Sequence, residues 1–311
     1  MDQSNAVRDG FLAAGVFTAI IFVSLLVPFA GLILLFFIPV PFAVYTHKYG
    51  WQTASIAALF TLIILSLVIG LLAPAFMLLF GAAGIAMGEL YRRGEGAFGA
   101  YAGTALSVIL GIVFTYAGTM ALTDTDPVQS FQMMMEDSVE QTEGLLGIDE
   151  NVDAGDEVMA FVDDVQVIVP ALIVLFGAAI AFIMQIAASW YIRRSGSHIP
   201  RFPPFREWSF PKSFIWYYLL ALILSFINMS EGQEGTLNTI SANLMPVMEA
   251  GMIIQGLAFM FFFFHLKKVT VVLPLLITGA AFVFPFLLPI IRILGIIDLG
   301  FDLRTRLKSQ N

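Results

Sequence analysis

The chain predicts an all-α fold: a polytopic transmembrane helix bundle of eight or nine spans, with an acidic extracytoplasmic loop containing short amphipathic helices. Three observations carry this expectation. The composition is 59% hydrophobic and only 12% charged, and the mean hydropathy is +0.89, outside the range of water-soluble domains. Apolar runs of membrane-crossing length follow one another along most of the chain. Charge is segregated as well. The 44 residues from Leu122 to Val165 hold thirteen Asp or Glu and no Lys or Arg, although the chain has 15 basic residues elsewhere. Loops rich in Lys and Arg stay on the cytoplasmic side of a membrane, so the acidic island faces away from it.

A spanning helix takes about 20 apolar residues, with roughly 17–25 tolerated. The runs are 11–27, 32–46, 52–73, 75–88, 97–121, 166–191, 213–229, 240–264 and 269–291. The start, MDQSNAVRDG, lacks the basic region and cleavage site of a secretory signal, so the first run is expected to be retained. Pro39 and Pro41 lie in the 32–46 run, and Pro74 precedes the 75–88 run. Each is expected to be a tilted, broken or partly re-entrant helix, or a hairpin that turns at its proline. Four domains are delimited: an N-terminal membrane bundle at 1–121, the acidic loop at 122–165, C-terminal membrane helices at 166–291 and a basic tail at 292–311.

Orientation follows from the basic residues. His47 with Lys48, Arg92 with Arg93, the stretch from Arg193 to Lys212, and Lys267 with Lys268 share one side if the runs cross in order. The island and the Glu231–Gly235 turn take the other. The protein is thus placed in the bacterial cytoplasmic membrane with 122–165 outside. One conflict stands. If 269–291 crosses as a single helix, the tail with Arg304, Arg306 and Lys308 ends outside, against the charge rule. That run carries Pro274, Pro285 and Pro289, so a non-standard path is expected there.

Within the island, Val128, Phe131, Met135 and Thr142 suggest one helical face, and Val158, Phe161, Val162 and Val165 lead into the next span. Two short amphipathic helices joined by Gly144–Gly155 are expected, acting either as a solvated surface or as a lid over a substrate entrance. The stretch from Arg193 to Lys212 holds four arginines before its lysine, with Phe202, Phe205, Trp208 and Phe210 suited to the headgroup level. Its prolines keep it extended. It serves as a membrane-surface anchor or a docking point for a protein partner.

Small residues mark helix contacts. Gly99, Gly103, Ser107 and Gly111 recur every fourth residue, and Gly84 with Gly88 forms a second pair; such faces let helix backbones approach closely in lipid. Polar residues within the runs mark candidate binding positions. Glu249 is the one acidic residue inside a predicted span. An intramembrane carboxylate costs about 2.5–3.5 kcal/mol on insertion scales, which makes it a functional candidate or a protonated group bonded to a neighbouring helix. Asn228, Asn243 and Gln255 accompany it, and together the four would line a polar pocket for a small solute near the outer face.

The missing motifs exclude other chemistry. No Cys is present, so disulfides and thiolate metal sites are ruled out. The three His are scattered, no HExxH or G-x-S-x-G occurs, and GxxxxGK[ST] is absent. No catalytic residue, metal or cofactor is predicted. A nucleic-acid partner is disfavoured by the net charge of −8; the lipid bilayer is the expected partner.

Four segments, PVPFAVYTHKYGW (Pro39–Trp51), GIAMGELYRRG (Gly84–Gly94), FPPFREWSFP (Phe202–Pro211) and LGIIDLGFDLRTRLK (Leu294–Lys308), resemble the YybS-like family of bacterial polytopic membrane proteins. The resemblance covers nearly the whole chain outside the island. That family is similar in its first half to the substrate-binding membrane subunits (S components) of energy-coupling-factor transporters. This implies a solute-binding or transport component that docks on a separate ATPase module through a small-residue face of its first helix. Here the matching face reads Gly10–Ala14–Thr18. The alternative is a membrane scaffold or regulator that recruits protein partners.

Overall fold

The computed structural model describes residues 3–123, 126–146, 154–230 and 235–309. Among the described residues the regular structure is helical throughout, with no strand. Seven helices are long and apolar enough to cross a membrane, and a bent pair makes up to eight. Phe214–Met229 is apolar but shorter. Many large apolar side chains point outward, among them Phe29 at 89% and Leu67 at 85% exposure. Such a surface needs lipid around it.

The chain forms two compact units, residues 1–163 with 172–202 and residues 164–171 with 203–311. The division therefore falls inside the Arg193–Lys212 stretch and not at the boundaries drawn from the sequence.

The N-terminal unit opens with α1 (Gln3–Leu26), which begins eight residues before the apolar run because Ala6 and Asp9 are bound by α3. The next span, Phe29–Tyr49, is one broken helix: α2 (Pro28–Leu34), a 3-10 turn at Leu35–Phe37 and α3 (Val40–Tyr49). Pro39 and Pro41 sit at the start of α3, where a missing N–H costs nothing. No hairpin or re-entrant turn is formed there. After α4 (Trp51–Ile69) the same holds for Leu72–Arg92, built from α5 (Leu72–Phe76), a π turn at Met77–Gly81 and α6 (Ala82–Arg92). Phe17, Ile21, Ile38, Phe42 and Leu65 are fully buried between these helices.

Glycines set the tightest contacts of this unit. A side chain at Gly84 would collide with the Pro39 carbonyl and one at Gly88 with the Ala43 carbonyl, so α6 lies directly on the α3 backbone. In α7 (Ala97–Thr123), Gly111 meets the Leu78 backbone and Gly103 the Leu90 side chain, Ser107 is half-buried, and Gly99 lies nearest to the Glu95 side chain just before the helix. Gly103 and Gly111 thus both meet the Leu72–Arg92 span. A side chain at Gly10 of α1 would meet the Tyr45 hydroxyl at 2.9 Å, so that residue faces inward.

Asp126 accepts the Val128 N–H at 2.8 Å and starts α8 (Pro127–Leu146), with Pro127 in the first turn. Val128 and Met135 are half-buried, whereas Phe131 is exposed. Only this helix of the island stands alone. The second expected helix is continuous with the following span as α9 (Ala154–Arg194). Residues 147–153 of the expected joint, and the side chains of Thr142, Val158, Phe161 and Val162, lie outside the described ones, as do residues 231–234 of the outer turn.

In the C-terminal unit α10 (Phe214–Ser230) and α11 (Gly235–Leu266) run antiparallel: Phe214 packs on Gly251, and Asn228 bonds Asn238 at the other end. Helix α11 has 32 residues, about 48 Å at 1.5 Å per residue, against a hydrocarbon core of about 30 Å. It must tilt or project. The expected 269–291 run does not form one straight helix. Instead α12 (Val272–Val283) ends at Phe284, and a 116° bend leads through Pro285 into α13 (Leu288–Phe301) and α14 (Leu303–Ser309). Pro285 cannot continue α12, since it has no N–H to donate. Gly256 and Gly295 bring α13 onto α11 so closely that a side chain at either would strike a facing backbone carbonyl, of Ile291 or of Met252.

A methyl group at Gly88 forces α6 off α3, so Gly88→Ala is expected to lose about 1–3 kcal/mol of stability by overpacking. Gly118 of α7 has nothing within 4 Å, and Gly118→Ala should be neutral or slightly stabilising. Denaturant titration of both variants in one detergent checks the contrast.

Candidate functional site

The polar residues that the sequence singles out on α11 are held apart, each by a different partner. Asn243 Nδ2 donates to the Val167 carbonyl at 2.8 Å, and its Oδ1 accepts the Ala171 N–H at 2.8 Å. These two backbone groups would bond each other in an unbroken helix, but Pro170 stands between them. The amide of Asn243 patches that break. Asn228 Nδ2 donates to Asn238 Oδ1 at 3.0 Å, while its own Oδ1 is buried with no partner among the described residues.

Glu249 forms an ion pair with Arg292 of α13, both side chains remaining about a third exposed or less. Helix α11 starts at Gly235, five residues before the apolar run. Glu249 therefore lies about 21 Å along the helix, beside Gly251 where α10 begins, and not near the outer end. Gln255 sits at the same end of α10. None of the four lines either of the two cavities described below.

Gln255 instead belongs to a buried cluster that the sequence reading missed. Its Oε1 accepts the Phe210 N–H at 2.9 Å, and its Nε2 donates to Asp298 Oδ2 at 2.5 Å. Arg304 Nε donates to the same oxygen at 2.8 Å, and its Nη1 donates to the Arg206 carbonyl at 3.0 Å. The Asp298 side chain is 2% exposed and that of Arg304 15%. The guanidinium also stands 5.6 Å from the Phe262 ring centroid. A carboxylate so deeply buried requires this compensation. Beside the cluster, Lys212 Nζ bonds Asp302 at 2.7 Å; that ammonium, with the Thr305 hydroxyl, holds the Asp302 carboxyl below the usual carboxylate range.

This cluster ties the tail to the 203–212 stretch. Two bonds make this tie, from Arg304 to the Arg206 carbonyl and from Lys212 to Asp302. A signal was present in the sequence: Ile291, Gly295 and Asp298 follow helical spacing and are all buried against α11. The run ended at 291 because Arg292 is charged.

The larger cavity belongs to the N-terminal unit. It is a cleft of ≈ 730 Å³ between α1, α3 and the end of α9. Leu12, Val16, Phe37, Val40 and Val44 form its wall, and Asp9, Lys48, Tyr49, Tyr191, Ser195 and Ser197 lie at its rim. Asp9 accepts bonds from Lys48 Nζ and the Tyr49 hydroxyl, each at 2.7 Å. His47, also in the lining, has a buried Nδ1 without a hydrogen-bond partner among the described residues. Below the cleft, Glu89 accepts from Arg92, Arg93 and the Trp51 N–H, thereby capping α4. Gln185 donates to the Tyr91 hydroxyl and the Ala97 carbonyl, both at 2.8 Å, tying α9 to α6 and α7. Such a cleft can hold a molecule with an apolar body and a polar head.

Removing one partner of the Asp298–Arg304 pair strands the other in the interior. Asp298→Ala and Arg304→Leu are each expected to lose about 3–5 kcal/mol, and the double variant less than the sum. A double-mutant cycle from denaturant titrations in micelles measures the difference.

Comparison with known proteins fits this architecture. A family model described as predicted membrane protein (DUF2232) matches residues 15–299. The Bacillus subtilis (strain 168) protein described as uncharacterized protein YybS is 30% identical over 317 residues, covering 99% of this chain and 100% of the relative. No solved structure matches the chain. With the match spanning nearly every helix, the chain belongs to the DUF2232 family of predicted membrane proteins.

Proposed function

We propose that the protein is a solute-binding component of a membrane transport system, without an ATPase of its own, and that it holds a small amphipathic solute in the Asp9–Lys48 cleft. The observation that carries this reading is the cleft itself. Its ≈ 730 Å³ falls within the roughly 300–1,000 Å³ of small-molecule sites, and an apolar wall with a few placed polar groups is their usual lining. Most of the lining comes from residues 9–49, in the half of the chain for which the resemblance to S components suggested solute binding. By the charge rule its rim, at Lys48 and Ser195, is cytoplasmic, so the open cleft corresponds to an inward-facing state. Energy for uphill transport would come from an ion gradient or a separate ATPase module, and such a module would dock elsewhere than at the buried Gly10.

Thermal unfolding of the purified full chain against a panel of amphipathic metabolites tests this. A true ligand at 100 times its Kd stabilises by about 2.7 kcal/mol. Leu12 is exposed and lines the cleft, so Leu12→Trp fills the site without disturbing the core and should abolish the response. The exposed Leu276→Trp on α12 should leave it intact. If no solute stabilises the protein while a stoichiometric protein partner copurifies, the scaffold reading replaces this one.

A further inference from the structure

The C-terminal unit contains a second cavity, of ≈ 570 Å³, walled by α11, α13 and α14 with Ile277 of α12. Every lining residue is apolar, with Phe259 and Phe263 facing Ile290 and Leu294, and with Leu303 and Leu307 at one side. Water gains nothing in such a space, and a polar solute would lose its hydration without recompense. The natural occupant is hydrocarbon. Because the walls belong to apolar helices of membrane-crossing character, the hydrocarbon at hand is the acyl chain of a lipid.

Charge narrows the occupant further. Lys267 Nζ stands 6.0 Å from the ring centroid of Phe263, a wall residue. Lys268 follows it in a left-handed conformation, φ 55°, which favours glycine. The two lysines follow directly on the end of α11 at Leu266. Both lysines are exposed, and among the described residues neither forms an ion pair. Asp298, Asp302 and Glu249 of this unit are engaged by Arg304, Lys212 and Arg292.

We propose that this groove binds one acyl chain of an anionic phospholipid, whose phosphate rests against Lys267 and Lys268. The site is independent of the Asp9–Lys48 cleft. The charge rule places both lysines on the cytoplasmic side, where the leaflet is anionic.

Native mass spectrometry of the full chain in mild detergent tests the proposal. The protein is equilibrated with mixed micelles of phosphatidylglycerol or of phosphatidylcholine with the same chains. Phosphatidylglycerol should be retained preferentially at one copy per protein. Lys267→Gln and Lys268→Gln should each lower that retention by about fivefold and leave phosphatidylcholine unchanged. Ile290→Trp, at an exposed groove position, should remove the retained lipid altogether. The unfolding midpoint of each variant checks that it is folded. Equal retention of the two lipids, retention that survives Ile290→Trp in a folded protein, or a second copy of the chain seated in the groove would each overturn the proposal.

Discussion

One buried carboxylate organises the C-terminal unit. Asp298 is 4% exposed, and a charge in that position needs both a counter-ion and donors that replace water. Arg304 supplies the first and Gln255 the second. Each comes from a different part of the chain, and Phe210 and Arg206 add backbone groups from a third. To satisfy one side chain, α13 must lie on α11, the tail must fold back, and the 203–212 stretch must cover both. The bend at Phe284–Pro285 and the close glycine contact of Gly256 with Gly295 are what make that packing possible.

A second constraint is the backbone itself. Inside lipid an unpaired N–H or C=O has no water to turn to. Several prolines in the spans are matched by a local remedy. Pro39 and Pro41 open α3 where no donor is missed, Pro285 is placed at a turn, and the gap around Pro170 is bridged by Asn243. The polar residues inside this chain mostly serve the fold in this way. Asn243, Gln255, Gln185 and Glu89 all spend their hydrogen bonds on neighbouring segments, so polarity within a span was a poor guide to a ligand site here.

Helix class and most spans were legible in the sequence, because about 20 apolar residues in a row admit few other structures. The glycine pair at 84 and 88 was legible for a similar reason, since its spacing alone implies close backbone approach. The last run was not. Its apolar stretch stops at Arg292, yet the helix continues to Phe301 because Arg292 and Asp298 find partners on α11 and in the tail. Hydropathy counts residues one at a time and cannot see a charge that another segment neutralises. The Asp9–Lys48 cleft was hidden by the same limit: α1 extends into a polar start that scored as a flank, and residues from three distant segments converge only after folding.

The Asp298 cluster predicts that the tail lies on the same side of the membrane as the 203–212 stretch. The chain has no cysteine, so one introduced thiol reports one position. Single cysteines at Ser213, Thr305 and Thr236, all exposed, can be probed in sealed vesicles with a membrane-impermeant thiol reagent. Cysteines at 213 and 305 should react from one side and the cysteine at 236 from the other. Reaction of position 305 together with 236 would mean that the last apolar run crosses the membrane, and the buried Asp298 cluster would then not exist in the bilayer.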